Sequence, residues 1–368
     1  MIGVVASDDL WGEVVGQDAA VSQLRAAVAS PVHAYLLVGP AGSGRRAAAM
    51  AFAADLLADG LDGQAAERSR RLVAAHAHPS LVVQEPQGQR FLVDDATRIV
   101  GGKLTDGTRV EGLVWRKPAE GDRQVILVPQ LVPADASAFT KLLKAVEEPP
   151  TGSFFILVAS SVPIEMAAIA SRCVRIDFSA VSEALLVERL EAEGVSAATA
   201  KVAAAGACGS LTRARLLARD PAAASRRDEW YQAPERLDGS GAAAAAVADE
   251  LLASIDALLE PLVALQAEEM ASYLEGFARV EMEPRKGDIK RMESRHKQEQ
   301  RRVRSDELRW GLATLVSRYR DEVARGGSSA QFLAAADEVQ SLCDALVFNP
   351  NEGLQLRALL VGLEPLGR

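Results

Sequence analysis

The sequence predicts an α/β domain, a parallel sheet between helices, followed by a small helical domain and then an all-α C-terminal domain. Three observations carry this. Short apolar runs alternate with amphipathic segments over residues 14–178, as strands and helices do when they layer on one another. An apolar run passes through a glycine-rich turn into a helical pattern at residues 34–46. Strand signals almost vanish after Phe178, and periodicity at helical spacing takes over. The boundaries expected are 1–180 for the α/β domain, 181–225 for the small helical domain and 226–368 for the C-terminal domain.

Taken in order, the strands are expected at residues 35–38, 81–83, 125–128 and 154–158. Between the last two lies a helix. Asp135 is placed to cap it, and Phe139, Leu142, Leu143 and Val146 share one face. Pro149 and Pro150 end it, because proline lacks the N–H and restrains the residue before it. Residues 182–219 read as a few short helices. Residues 221–246, rich in Ala, Gly, Pro and charge, read as a linker that includes the start of a helix. Residues 250–363 are helical by periodicity, broken at Gly326-Gly327 and Asn349-Pro350, with leucines spaced for a bundle.

Composition narrows the class. A chain of 368 residues suits two or three domains. Apolar residues make up 49 % and aromatics 5 %, with alanine prominent, a mix that favours helices. No apolar run is long enough to span a bilayer, and Asp8 and Asp9 stand where a targeting segment would be apolar. A soluble, cytoplasmic protein is expected. Cys173, Cys208 and Cys343 are isolated, which fits neither a disulfide framework nor zinc spacing. A net charge of −9 argues against coating nucleic acid by overall field. A local basic stretch, residues 285–304, remains. A charge run of this kind is ordinarily a solvated face, the alternative being a contact to template DNA or an acidic partner. No aromatic residue is interleaved, so base stacking is not supported.

The chemistry concentrates at Gly39-Pro40-Ala41-Gly42-Ser43-Gly44-Arg45-Arg46. A strand entering a glycine-rich turn and then a helix is the setting of a phosphate-binding loop, whose backbone N–H groups face a phosphate. Such a loop needs Lys to reach the β- and γ-phosphates and Ser or Thr to hold Mg²⁺, but Arg45 and Arg46 stand at those places. A guanidinium cannot ligate a cation. The strand at 125–128 should end in acidic residues that position the metal and the attacking water, yet it runs into Pro129-Gln130. Loss of the lysine, the hydroxyl and both carboxylates implies a site that does not turn over ATP. No metal ligation is expected.

Gly16-Gln17, His33-Ala34-Tyr35-Leu36, Lys141-Leu142-Leu143-Lys144-Ala145-Val146-Glu147-Glu148-Pro149-Pro150 and Ser171-Arg172-Cys173 occur in this order. Together they resemble the clamp-loader branch of the AAA+ proteins, and with the emptied loop they look like its bacterial delta-prime members. The resemblance is good over residues 14–178, looser to 219, and one of pattern thereafter, with Phe348-Asn349-Pro350-Asn351 similar to the closing segment. It implies an AAA+ domain with a degenerate P-loop, a helical lid and a collar that joins loader subunits into a ring. Two departures are visible. Many members carry a four-cysteine zinc module after the P-loop helix, and residues 58–80 contain no cysteine; the stretch 103–122 is longer and more irregular than usual.

Arg172 matches the arginine that in this family reaches into a neighbour's ATP site, an in-trans finger. Gly209-Ser210-Leu211-Thr212-Arg213 resembles the lid's second sensor, with Arg213 the residue that would approach nucleotide. Cys173 reads as a small packing residue, since no histidine is near it in sequence. The resemblance therefore implies an accessory subunit of the DNA polymerase III holoenzyme with no independent catalytic activity. It requires no cofactor of its own, ATP being bound at a neighbouring subunit. The implied partners are the tau/gamma and delta subunits, the sliding clamp and primer-template DNA reached through the ring, at replication forks near the nucleoid and with no membrane. The competing readings are an active motor subunit using Arg45 in place of lysine, which Pro129-Gln130 opposes, and an AAA+-derived scaffold outside replication.

Overall fold

The computed structural model describes residues 10–86, 90–131, 133–219, 221–278, 286–346 and 351–366. The chain divides into two compact units, Met1–Arg219 and Asp220–Arg368.

The first unit begins with a 3-10 turn, Leu10–Glu13, and then α1 (Asp18–Val28), β1 (Ala34–Val38), α2 (Arg45–Ala58), α3 (Gly63–Ala74) and β2 (Leu81–Val83). Next come α4 (Val93–Val100), β3 (Gly102–Lys103), β4 (Arg109–Val110), β5 (Gln124–Val128), α5 (Ala136–Glu147) and β6 (Ser153–Ala159). The unit closes with α6 (Ala167–Ala170), β7 (Val174–Asp177), α7 (Glu183–Ala192), α8 (Ala197–Gly206) and α9 (Leu211–Arg219). Five strands form a parallel sheet in the order β2-β5-β6-β1-β7. In register, Leu36 stands opposite Leu157 on one side and Arg175 on the other.

Strand alternation sorts the sheet's side chains into two layers. Leu36, Ile126, Phe155 and Leu157 face a core with Ile99, Phe139, Leu142, Val146 and Ile169 from α4, α5 and α6. Tyr35, Leu37, Val125, Leu127 and Ile156 face the opposite core with Leu24, Phe52, Leu56 and Val73 from α1, α2 and α3. Both faces are covered, which is why the central strands read as continuous apolar runs.

The four expected strands and the helix ended by Pro149 and Pro150 are present. Asp135 does stand at the N-cap of α5, but its side chain makes no capping bond. Its carboxylate pairs instead with Arg90 at 2.5 Å. Strand β7 was not expected: only Ile176 of its four residues is buried, so it has no apolar run. The irregular stretch 103–122 holds the β3–β4 pair and a 3-10 turn, Leu113–Trp115, that buries Val114.

Helices α7, α8 and α9 share their own small core, built from Val181, Leu186, Leu190, Ala203, Ala204, Leu211 and Ala214. Glu13 and Glu193 tie this module to the turn before α1. Arg189 donates to Glu13 at 3.1 Å and to Glu193 at 2.7 Å, and Arg215 meets the same two carboxylates at 2.6 and 2.5 Å.

The second unit is helical: α10 (Pro221–Gln232), a 3-10 turn (Ala233–Arg236), α11 (Gly241–Ala278), α12 (Lys286–Ala324), α13 (Ser329–Ala345) and α14 (Glu352–Gly362). Its core gathers Trp230, Leu237, Val247, Leu251, Ile255, Leu308, Leu312, Leu315, Tyr319, Val339 and Leu356. The expected linker at 221–246 is thus mostly helix, because Trp230, Ala233 and Leu237 give it apolar anchors that its alanine and charge content masked. The Gly326-Gly327 break separates α12 from α13. The expected break at Asn349-Pro350, and Phe348 with it, lies outside the described residues, whereas Asn351 caps α14 by accepting from Leu354 N–H at 3.0 Å.

Candidate functional site: a glycine loop and an exposed arginine

The glycine loop lies where an open parallel sheet presents its ligand crevice, beyond the carboxyl ends of the strands, between β1 and α2. Gly42 and Gly44 adopt φ of 78° and 86°, a left-handed backbone that suits glycine. Gly44 is also the N-cap of α2, so no side chain caps that helix.

Arg45 turns back and donates from Nη1 to the carbonyl of Ala159 at the end of β6, the same carbonyl that accepts the Gly39 N–H at 3.3 Å. Burial lowers the guanidinium to about 10, still a cation at neutral pH. Arg46 pairs through Nη2 with Glu85, just past β2. Each of these two guanidinium groups is therefore engaged by a protein acceptor. Above Gly42 stands Ser210, 3 % exposed, so close that any side chain at position 42 would collide with it. Ser210 Oγ accepts the Arg213 N–H at 3.2 Å and opens α9.

Arg213 is 7 % exposed, and its Nε donates to the Gly206 carbonyl at 3.3 Å, inside the α7–α9 module. Pro129 follows β5 buried and Gln130 exposed, so neither supplies a carboxylate. One polar atom of the loop is orphaned: the Ser43 hydroxyl is fully buried with no hydrogen-bond partner. A single hydroxyl does not replace the missing lysine and carboxylates, and the donor set does not match a magnesium–nucleotide site. Among the described residues no group of three or more His, Cys, Asp or Glu side chains is placed to hold a metal, and no helix is long and apolar enough to cross a membrane.

Arg172 lies after α6, with its backbone N–H on the Ile169 carbonyl at 3.0 Å. Its side chain is 41 % exposed. Nη1 donates to the Ala168 carbonyl at 2.9 Å and to Ser171 Oγ at 3.2 Å, and Nε pairs with Glu147, the last residue of α5. Two sequence strings that are separate in the chain thus meet through one ion pair, a contact that spacing alone does not reveal. Burial pushes the neighbouring Cys173 thiol up to about 12, which suits a packing residue. Arg175, three residues on, is held by Asp177 at 2.8 Å.

Sequence reasoning also missed the Gln17 side chain, 5 % exposed, which donates to the Ser179 carbonyl at 2.7 Å and accepts the Ser179 N–H at 3.2 Å. The motif Gly16-Gln17 was visible, but not what it bonds. In the basic stretch, Arg285 lies outside the described residues. Arg304 is committed to Glu352 at 2.6 Å and to Asp256, whereas Lys297 and Arg301 are exposed.

Comparison with known proteins finds matches to part of the chain. Residues 16–182 match the family described as "DNA polymerase III, delta subunit". The DNA polymerase III subunit delta' of Pseudomonas aeruginosa is 32 % identical over 173 residues, 45 % of this chain and 45 % of that protein. The chain thus aligns with less than half the length of that curated relative. Among solved structures, a DNA polymerase III gamma subunit-related protein of Thermotoga maritima aligns over 92 % of this chain and 97 % of its own, at 13 % identity and a TM-score of 0.45. A RuvB variant from the same organism aligns over 58 % of this chain and 63 % of its own, at 18 % identity and 0.34.

Proposed function

We propose that this chain, delta-prime-like over residues 16–182, works as a non-hydrolysing subunit of a DNA polymerase III clamp loader. It assists an ATP-binding neighbour and does not turn over nucleotide itself. The observation that carries the reading is the state of the glycine loop. Arg45 and Arg46 spend their charge on Ala159 and Glu85, and Ser210 stands against Gly42. A nucleotide would have to displace both arginines and find its metal without a carboxylate from Pro129-Gln130. The partners are the delta and tau/gamma subunits, with the sliding clamp and primer-template DNA met through the assembled ring, in the cytoplasm.

In this role Arg172 is a finger in trans. Its exposure and charge suit a group that stabilises a γ-phosphate in the neighbour's site, where related fingers contribute roughly 10³- to 10⁵-fold in rate. Two experiments test the reading. Pure chain incubated with MgATP should release no phosphate above background and should show no saturable MgATP binding by calorimetry. Steady-state hydrolysis that survives further purification and is abolished by substitution of Gly44 would overturn it. Co-purification with delta and tau/gamma subunits tests the assembly half, and their absence from a pull-down would favour a scaffold outside replication.

A further inference from the structure

We infer that Glu147 is a positioning residue for Arg172, holding the guanidinium so that one edge is presented outward before any partner arrives. The inference rests on the finger role proposed above and deepens it.

A guanidinium has five N–H donors in a planar fork. In Arg172, Nη1 donates to the Ala168 carbonyl and to Ser171 Oγ, and Nε is ion-paired with Glu147. Nη2 makes no hydrogen bond among the described residues. Two hydrogen bonds and one ion pair restrict the plane of the group and leave Nη2 without a hydrogen bond. That is the arrangement a ligand with two anionic oxygens would meet.

The acceptors are themselves fixed. Ala168 belongs to α6, and Ser171 Oγ donates to the Ala168 carbonyl at 3.0 Å. Glu147 closes α5, where Glu148 N–H bonds the Lys144 carbonyl at 3.1 Å and Pro149 and Pro150 bar a further turn. Helices α5 and α6 also share the buried cluster of Phe139, Leu142, Val146 and Ile169. The pair therefore joins two rigid helix ends. A half-exposed pair adds little to stability. What it restricts is the rotamer freedom of a long side chain, which otherwise has to be given up when the γ-phosphate is engaged.

The test uses the assembled loader with MgATP, clamp and primed DNA, and measures turnover per complex with assembly checked by gel filtration. Glu147→Ala should lower kcat by about tenfold with KM for ATP nearly unchanged. Glu147→Gln, which keeps an acceptor of the same length, should recover most of the loss. In an Arg172→Ala background Glu147→Ala should have no further effect. In the isolated chain, the Arg172 Nε resonance should shift in Glu147→Ala relative to the native protein, reporting loss of the ion pair. If Arg172→Ala lowers turnover and Glu147→Ala does not, or if the two losses multiply, the positioning role is overturned and the finger stands. If Arg172→Ala itself leaves turnover intact, the finger reading and this inference fall together.

Discussion

At positions 45 and 46 two guanidinium groups follow the glycine loop, and both are engaged by the protein itself. Arg45 reaches the Ala159 carbonyl and Arg46 reaches Glu85, so restoring the phosphate-loop pair by Arg45→Lys with Arg46→Thr frees the loop without rebuilding a site. Ser210 still crowds Gly42 and Pro129-Gln130 still offers no carboxylate. The double variant is expected to fold and to hydrolyse no ATP; phosphate release at even a slow steady rate would show that the loop alone was limiting. The thiols give a second residue-level expectation. Burial raises Cys173 to about 12, and burial also raises Cys343, while Cys208 is exposed. Since the thiolate is the reactive form, Cys173 and Cys343, both only partly exposed, stay protonated at pH 8. Brief iodoacetamide treatment followed by peptide mass mapping should find Cys208 modified well before the other two.

Among the elements, α10 and α12 pack through an unusually close approach: a Cβ at Gly311 would collide with the Trp230 ring, itself 2 % exposed. Alanine in a helix interior ordinarily gains up to about 1 kcal/mol over glycine, whereas overpacking a filled core costs about 1–3 kcal/mol. With a ring and no flexible chain end in the way, the second effect should win. Gly311→Ala is expected to lower the urea midpoint of the helical unit, while Gly362→Ala, which opens onto free space, should leave it unchanged or raise it slightly. The same element level shows what the sequence could disclose. Helix α5 was legible because Phe139, Leu142 and Val146 recur at helical spacing and two prolines follow. The edge strand β7 was not, since Val174, Arg175 and Asp177 are all exposed and its place is set by pairing with β1. The glycine loop was legible as a motif. The groups that fill it, Ser210 and Ala159, come from distant parts of the chain that no local pattern links to it.

Across the first unit, the carboxylates of Glu13 and Glu193 and the guanidinium groups of Arg189 and Arg215 join the turn before α1 to α7 and α9. The hydrogen bond from Arg215 leads the interactions that hold the Glu193 carboxyl below the usual range, against opposing desolvation. A carboxyl depressed in the folded state stabilises fully above its unfolded value, about 4.3, and loses that contribution as pH falls through the lowered folded value. Glu193→Gln should therefore flatten the decline of the unfolding midpoint below about pH 4 and change it less at pH 7; an unaltered acid limb would mean the network is not coupled to folding. The sheet order has a different kind of consequence, one of timing. Strand β1 is made early in synthesis, yet its two neighbours are β6 and β7, with Ala34 paired to Phe155 and Tyr35 to Val174. Until those strands leave the ribosome, Leu36 and Leu37 have no sheet to enter, and closing so distant a contact is slow. A nascent fragment ending at residue 150 should accordingly remain protease-sensitive and bind chaperones, whereas one reaching residue 219 should become resistant, as pulse proteolysis of stalled chains can measure.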